Sequence, residues 1–366
     1  MSRLFILAPA PLLVCSVLAF AQGPISPRLA EPPVPPDPLE LVTGDAQPVQ
    51  NAEQRASVVK LLLNAFAISN VRAYPYHRRT SFNAFGTTSS DGAWQLEDMS
   101  PGPNLYRWTA QDPSYSVTNL YVDKILYSNE PSGTVPLRLT QVRTAIFFTR
   151  PVAGPRATLR TFPAEFNGSA LTCILLSHRG AAKGATGGRS WRESESCIDN
   201  ASGALVTYSA VPGLYIAYDY SQAIHFHNRL IPNKFTITEA GHTIIEAQTV
   251  SVSDPPQDPS LFQPAGLAQV GAGSLMSAPW TFRSLVPTPA VPPGSTQIVT
   301  LHGLQSASGQ TTGLEVLASS NTALNQSALE MASNSSAREP SDDPEPGATP
   351  QSHEVLYTVV FVPAQK

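Results

Sequence analysis

ALVTYSAVPGLYIAYDY, residues 204–220, carries the pattern that decides the fold. Ala204 to Ser209 and Leu214 to Tyr220 are rich in β-branched and aromatic residues and read as strands, with Pro212-Gly213 as the tight turn between them. The pattern repeats in both directions. Downstream lie Ala223 to His227, Lys234 to Thr238 and Thr243 to Val252, punctuated by Ala240-Gly241. Upstream, strand signals cover Ala157 to Phe162, Leu171 to Leu176, Tyr74 to Phe85, Ala93 to Leu96, Leu105 to Trp108, Tyr115 to Val122 and Ile125 to Tyr127. Short strands joined by tight turns imply an antiparallel meander curled over a helix or two. Helical spacing occurs twice: at Ala52, Ala56, Val59, Leu63 and Phe66, with Asp45 and Pro48 as starting signals, and at Val135, Leu139, Val142 and Ile146. The expected fold is α+β and mainly β: a curved antiparallel sheet, or half-barrel, with one or two packed helices, plus a small C-terminal α+β domain.

Composition narrows the function classes. Of 366 residues, 42% are hydrophobic, enough for real cores, while only 14% are charged. The 35 prolines mark extended connectors, and the net charge of −4 leaves no basic stripe for nucleic acid and no polybasic cluster for anionic lipid.

The N-terminus reads as a cleavable export signal over residues 1–21. Met1-Ser2-Arg3 carries one positive charge, Leu4 to Phe20 carries none, and Ala19-Phe20-Ala21 fits the small-x-small pattern before Gln22. An uncleaved anchor is the alternative; Pro9, Pro11 and the short span argue against it. Leu12-Leu13-Val14 ahead of Cys15 lacks the small residue of a lipoprotein signal. The expected location is the periplasm, and cleavage would exclude an integral membrane protein. Export also bears on Cys173 and Cys197, which suggest one disulfide closing a loop of about 25 residues; two buried thiols are the alternative.

The expected organisation places a Pro-rich segment at 22–48, the β-rich domain at 49–254, a linker at 255–293 and a second unit at 294–366. That last unit holds strands at Gln297 to Gly303 and Gly313 to Ala318, a helix from Thr322 to Ala332 capped by Asn321 or Thr322, and a final strand, Val355 to Val362. An acidic low-complexity stretch precedes the final strand.

Two resemblances follow. The runs Ile298 to Gly303, Ser308-Gly309-Gln310, Leu314 to Ser320, Ala323 to Leu329 and Val355 to Phe361 resemble the TonB C-terminal domain in their order of strand, turn, strand, helix and strand. The departures are Ser333 to Pro340, where that domain has a Trp-x-Phe-x-Pro stretch, and a missing Tyr-Pro pair at its start. The resemblance implies an interaction domain for an envelope protein; with a cleaved signal it serves as a soluble adaptor rather than an energy transducer. Gly92-Ala93-Trp94, Ser100-Pro101 ahead of Tyr106-Arg107, and Arg229 to Pro232 resemble the periplasmic LolA-like lipoprotein carriers. This implies a concave apolar surface able to hold an acyl chain or a partner.

The candidate chemistry is sparse. His225 and His227, two apart on a strand, would share a face and reach one metal, with His242 approaching from a neighbouring strand. No carboxylate or thiolate completes the set in sequence, so solvated histidines are the simpler reading. Trp94, Trp108, Tyr218 and Tyr220 are candidates for a ligand groove, against the plainer role of sheet wall. No Gly-x-Ser-x-Gly elbow or Ser-x-x-Lys occurs, Gly184 to Gly188 lacks the ending of a phosphate loop, and His77-Arg78-Arg79 reads as a solvated edge. The expectation is a non-enzymatic periplasmic binding or adaptor protein, with no cofactor, no catalytic residue and no nucleic acid, whose partner is an envelope protein or a lipid-like ligand. The alternatives are a TonB-like transducer with an uncleaved anchor, and a secreted metal-dependent hydrolase using His225 and His227.

Overall fold

The strands form two runs. β1 (Val42–Thr43) and β2 (Gln47–Pro48) precede helix α1 (Ala52–Ile68). The first run is β3 (Tyr76–Ala84), β4 (Gly92–Gly102), β5 (Leu105–Gln111), β6 (Ser116–Val122) and β7 (Ile125–Ser128). Helix α2 (Leu137–Phe147) leads to the second: β8 (Thr158–Phe166), β9 (Ser169–Ser177), β10 (Ser194–Asp199), β11 (Leu205–Val211), β12 (Leu214–Asp219), the hairpin β13 (Ile224–Phe226) and β14 (Arg229–Ile231), β15 (Lys234–Glu239) and β16 (His242–Ser253). Then come β17 (Ala268–Gly271), β18 (Trp280–Thr288), β19 (Gln297–Gln305), β20 (Thr311–Ser319), helix α3 (Asn325–Asn334) and β21 (His353–Pro363). This computed structural model describes residues 42–43, 46–86, 91–130, 136–147, 153–177, 189, 193–271, 280–293, 295–306, 310–334 and 353–364. The export signal, the Pro-rich segment to Pro38, the Gly-rich tip near Gly184 and the acidic stretch lie outside the described residues.

Within each run, consecutive strands pair antiparallel, as tight turns require, except that the hairpin β13–β14 stands apart and β12 pairs β15. The runs meet where β16 pairs β3, from Ile245 opposite Ala84 to Ser253 opposite His77. One antiparallel sheet results, in the order β1-β8-β9-β10-β11-β12-β15-β16-β3-β4-β5-β6-β7-β17, with β2 also on β8. Its two ends do not pair, so the sheet curls without closing. His77-Arg78-Arg79 therefore sits on a strand paired on both sides, which corrects the reading of a solvated edge. Side chains alternate strictly along β3: Tyr76, Arg78, Thr80, Phe82 and Ala84 are buried, while Arg79 and Asn83 are exposed.

The helices close the inner face. α1 starts at Asn51, whose side chain accepts from the Gln54 N–H at 2.9 Å, while Gln54 Oε1 accepts from the Gln50 N–H at 3.0 Å. Pro48, taken as a helix start, instead pairs Arg160 in the sheet, and Asp45 lies outside the described residues. α1 buries only Leu62, Ala65 and Phe66 fully. α2 buries nearly every residue, including Arg138 and Arg143.

The stretch read as a linker is partly built into sheets. β17 pairs β7, and the turn Pro259–Phe262 packs Phe262 against Met99 and Leu120. β18 runs parallel to β21 and completes a four-stranded sheet of order β18-β21-β19-β20. A composition of Pro, Gly, Ala and Ser hid these strands because their partners are distant in sequence. β21 is apolar from Val355 to Val362 save for Thr358, because both its faces are covered. Val355, Tyr357, Val359 and Phe361 pack with Leu324, Ala328 and Ala332 on the α3 side. Val360, Ile298 and Ala318 pack with Ala240, and Leu356 and Leu317 pack with Leu137, on the side of the large sheet. Gly213, at φ +90° in the Pro212-Gly213 turn, leaves just enough room: a Cβ there would stand 3.0 Å from Ile298 Cδ1.

Cys173 and Cys197 form a disulfide between directly opposed positions of β9 and β10, fully buried with Phe162, Leu171 and Leu175. It closes a loop of sequence separation 24. Cys173→Ser with Cys197→Ser is expected to lower unfolding free energy by about 3 kcal/mol, read from urea unfolding.

Candidate functional site

The four aromatic candidates line one wall, on the inner face of the sheet. Trp94 of β4 is fully buried and stacks on its cross-strand neighbour Phe82, with centroids 5.7 Å apart. Trp108 of β5 lies under the Arg143 guanidinium of α2 at 3.8 Å. Tyr218 of β12 donates to the Ala145 carbonyl of α2 at 2.9 Å. Tyr220, just beyond β12, shares a hydrogen bond of 3.0 Å with Ser69, the C-cap of α1. The tyrosines, two apart, thus pin the two helices to the sheet. Trp94, Trp108 and Tyr218 belong to the main core and Tyr220 packs against it, so the space over this wall is filled by helix side chains. A separate 520 Å³ concavity lies on the opposite face, where Asn83, Gln95, Lys234, Glu246 and Gln248 alternate with the buried residues.

The sequence reading missed a polar cluster embedded in the same wall. Arg78 on β3 stands opposite Asp98 on β4, and both are almost completely buried. Arg78 donates to Thr249 Oγ1 across the β3–β16 seam at 2.8 Å, and to Thr80 Oγ1 at 3.3 Å. Asp98 Oδ1 accepts from the Tyr106 hydroxyl and lies 3.8 Å from Arg143 Nε. Arg143 Nη2 donates to the Tyr106 oxygen at 2.8 Å. Arg72, exposed at the rim in the turn Val71–Ala73, lays its guanidinium over Phe147 at 4.1 Å and Tyr106 at 5.6 Å. Asp98 Oδ2 and Arg143 Nε make no hydrogen bond among the described residues. Three guanidiniums thus surround one carboxylate. The signal was present in the sequence: Tyr76-x-Arg78-x-Thr80-x-Phe82 puts Arg78 in phase with the buried side of its strand.

Electrostatics follow burial. Desolvation lowers the Arg78 guanidinium to about 10. It raises the Asp98 carboxyl above the usual carboxylate range, against the pull of Arg143 and the Tyr106 hydroxyl. Two other buried pairs stand apart from this cluster. Arg160 binds Glu193 through two bonds, at 2.8 and 2.6 Å. Arg138 meets Glu239 at 3.3 Å and reaches the Phe85 carbonyl at 3.1 Å, beside the C-terminal module.

The histidines do not converge. β13 ends at Phe226, so His227 leaves the strand with φ +50°. It stacks on Tyr74 at 4.5 Å and faces Asp254 at 3.3 Å, both at the surface. His225 stays on the hairpin, and His242 contacts the Ser319 carbonyl at 3.2 Å. Sharing of one face by His225 and His227 is thereby corrected: the left-handed turn residue breaks the period of two. Among the described residues, no group of three His, Cys, Asp or Glu is placed to hold a metal ion.

No protein-family model matches the chain, and no curated protein matches it. Solved structures show partial likenesses. A LolA superfamily protein from Nitrosomonas europaea is 11% identical at a TM-score of 0.37, covering 56% of this chain and 96% of its own. A putative outer membrane lipoprotein-sorting protein domain from Vibrio parahaemolyticus is 7% identical at 0.35, covering 53% and 91%. A DUF1329 family protein from Desulfovibrio piger is 6% identical at 0.36, covering 59% and 98%. At these scores the likenesses carry no argument about activity. The TonB resemblance of residues 294–366 finds no support in any of these comparisons. No described helix is long and apolar enough to cross a membrane.

Because the folded state holds the Asp98 proton more tightly than the unfolded chain, this group favours folding most at acid pH. Its contribution falls as pH rises from the ordinary carboxylate range through the raised folded value. The urea midpoint of the wild type minus that of Asp98→Asn is therefore expected to decrease between pH 4 and pH 7.

Proposed function

We propose that the chain is a non-enzymatic binding protein of the cell envelope, acting in the periplasm, that takes an apolar ligand against the inner face of its curved sheet. The observation that carries this reading is the thin cover over an aromatic wall. α1 spans 17 residues yet fully buries only Leu62, Ala65 and Phe66, in the core that it shares with Phe82, Trp94, Trp108, Tyr218 and Phe235. A helix so lightly held can lift, and lifting it opens the apolar core behind it to an acyl chain. Its start is tied to the segment ahead of β8 by Arg55, which donates to the Ala157 and Gly154 carbonyls, both at 2.8 Å. Trp94, Trp108, Tyr218 and Tyr220 are the groove residues in this reading. The C-terminal module, packed on the turns of the sheet, acts as a fixed brace and leaves its outer α3 side for an envelope partner.

Titration of purified, delipidated protein with N-phenyl-1-naphthylamine tests the reading. Saturable uptake, displaced by oleyl alcohol, is expected. Arg55→Ala should tighten it roughly tenfold, because two charge-assisted hydrogen bonds holding the cover are lost. Absence of saturable uptake in both proteins would overturn the proposal.

A further inference from the structure

We propose that the hollow on the outer face of the large sheet, lined by Asn83, Gln95, Lys234, Glu246 and Gln248, is a binding site for a small neutral saccharide. It lies on the face opposite the aromatic wall, so it goes beyond the apolar-ligand reading and stands or falls independently of it.

The shape of the hollow follows from strand register. Two rows of side chains cross β15, β16, β3 and β4 on this face. One runs Lys234, Gln248, Ser81, Gln95, and its neighbour runs Thr236, Glu246, Asn83, Ala93. Long side chains at Lys234, Glu246, Gln248 and Gln95 stand around the short Ser81, Thr236 and Ala93, which leaves a cavity of about 520 Å³. That volume falls within the range of about 300–1,000 Å³ common to small-molecule sites. Further along the same face the treatment differs. Met99 and Leu120, both in register with Arg107, pack under Phe262, and Arg107 donates to the Leu261 carbonyl at 2.6 Å. The chain thus covers the apolar part of its outer face with its own turn Pro259–Phe262, while the polar side chains of the hollow face solvent.

The chemistry of the lining selects the ligand. The amides of Asn83, Gln95 and Gln248 each offer donors and an acceptor, which matches a sugar hydroxyl, itself both donor and acceptor. Lys234 adds further donors and Glu246 further acceptors. Their charges cancel, so the hollow has no net attraction for a polyanion or a polycation. All five side chains are exposed, and none makes a hydrogen bond or ion pair with another described residue. Glu97, on the same side of β4 as Gln95, shows the contrast: it is paired with His77 at 2.6 Å. The hydrogen-bonding capacity of the five is therefore free for a ligand. Phe82, Phe235 and Ala247 are buried and contribute only to the floor, so an acyl chain would meet polar walls here.

Isothermal titration calorimetry of the full chain with maltose, cellobiose and N,N′-diacetylchitobiose tests the site. Saturable binding of at least one is expected, unchanged between about 50 mM and about 500 mM NaCl, because a neutral ligand has no charge for salt to screen. Asn83→Ala and Gln248→Ala should each weaken it about fivefold, the value of one neutral hydrogen bond. Both residues are exposed, so the urea midpoints of the variants should match the wild type. Selective binding of diacetylchitobiose supports the site and assigns it an acetamido sugar. No saturable binding of any of these saccharides, or binding that both variants leave intact, overturns the proposal. Binding of triglycine in their place also overturns it and gives the hollow to peptide amides. Both variants should take up N-phenyl-1-naphthylamine as the wild type does, so failure of this site and failure of the apolar groove are read separately.

Discussion

The pairing of β3 with β16 is the contact on which the large sheet depends. Most pairings within the two runs join strands adjacent in the chain, which a short turn brings together at small entropic cost. This one closes most of the domain at once and converts two meanders into a single curved surface. It also aligns their inner faces. Phe82 comes opposite Ala247, and Ala84 opposite Ile245, so one continuous apolar wall faces α1 and α2. A slip of one residue would turn Arg79 and Asn83 inward, which the hydrophobic pattern forbids.

The polar cluster is fastened to the same seam. Arg78 belongs to β3 but donates to Thr249 on β16, so it ties the two runs together from inside the core. Burying it costs solvation energy that apolar residues would not require. The aromatic neighbours Trp108, Tyr106 and Phe147 seat the guanidiniums of Arg143 and Arg72 against ring faces.

The C-terminal module has an altered meaning once it is seen in place. Its order of β19, β20, α3 and β21 is the one that the strand and helix signals suggested. Its position is another matter. One face of its sheet is sealed by α3 and the other by the turns at Gly213 and Ala240 and the start of α2. β18 lies along the whole of β21, so that strand offers no free edge for a further one. A domain held in this way bears on the large sheet itself, and Arg138 carries the contact further, linking Glu239 beside that joint to α2.

Local order was legible in the sequence because its causes are local. Alternating residues with Gly turns gave the strands and the mainly β class, and helical spacing gave α1 and α2. Capping chemistry marked Asn321, which caps the short turn Thr322–Leu324 leading into α3, but it misplaced the start of α1, where Asn51 was passed over for Asp45 and Pro48. The pair Cys173–Cys197 followed from cysteine count and an expected export route. The remainder depended on residues far apart in the chain. Only the fold sets β16 beside β3, β18 beside β21, and Arg143 of α2 over Trp108 of β5. The sequence by itself determined which residues point to a common face; tertiary structure decided what each face meets. Burial and charge balance are properties of neighbours in space, and a run such as His77-Arg78-Arg79 acquires its chemistry only when a second strand and a helix close over one of its members.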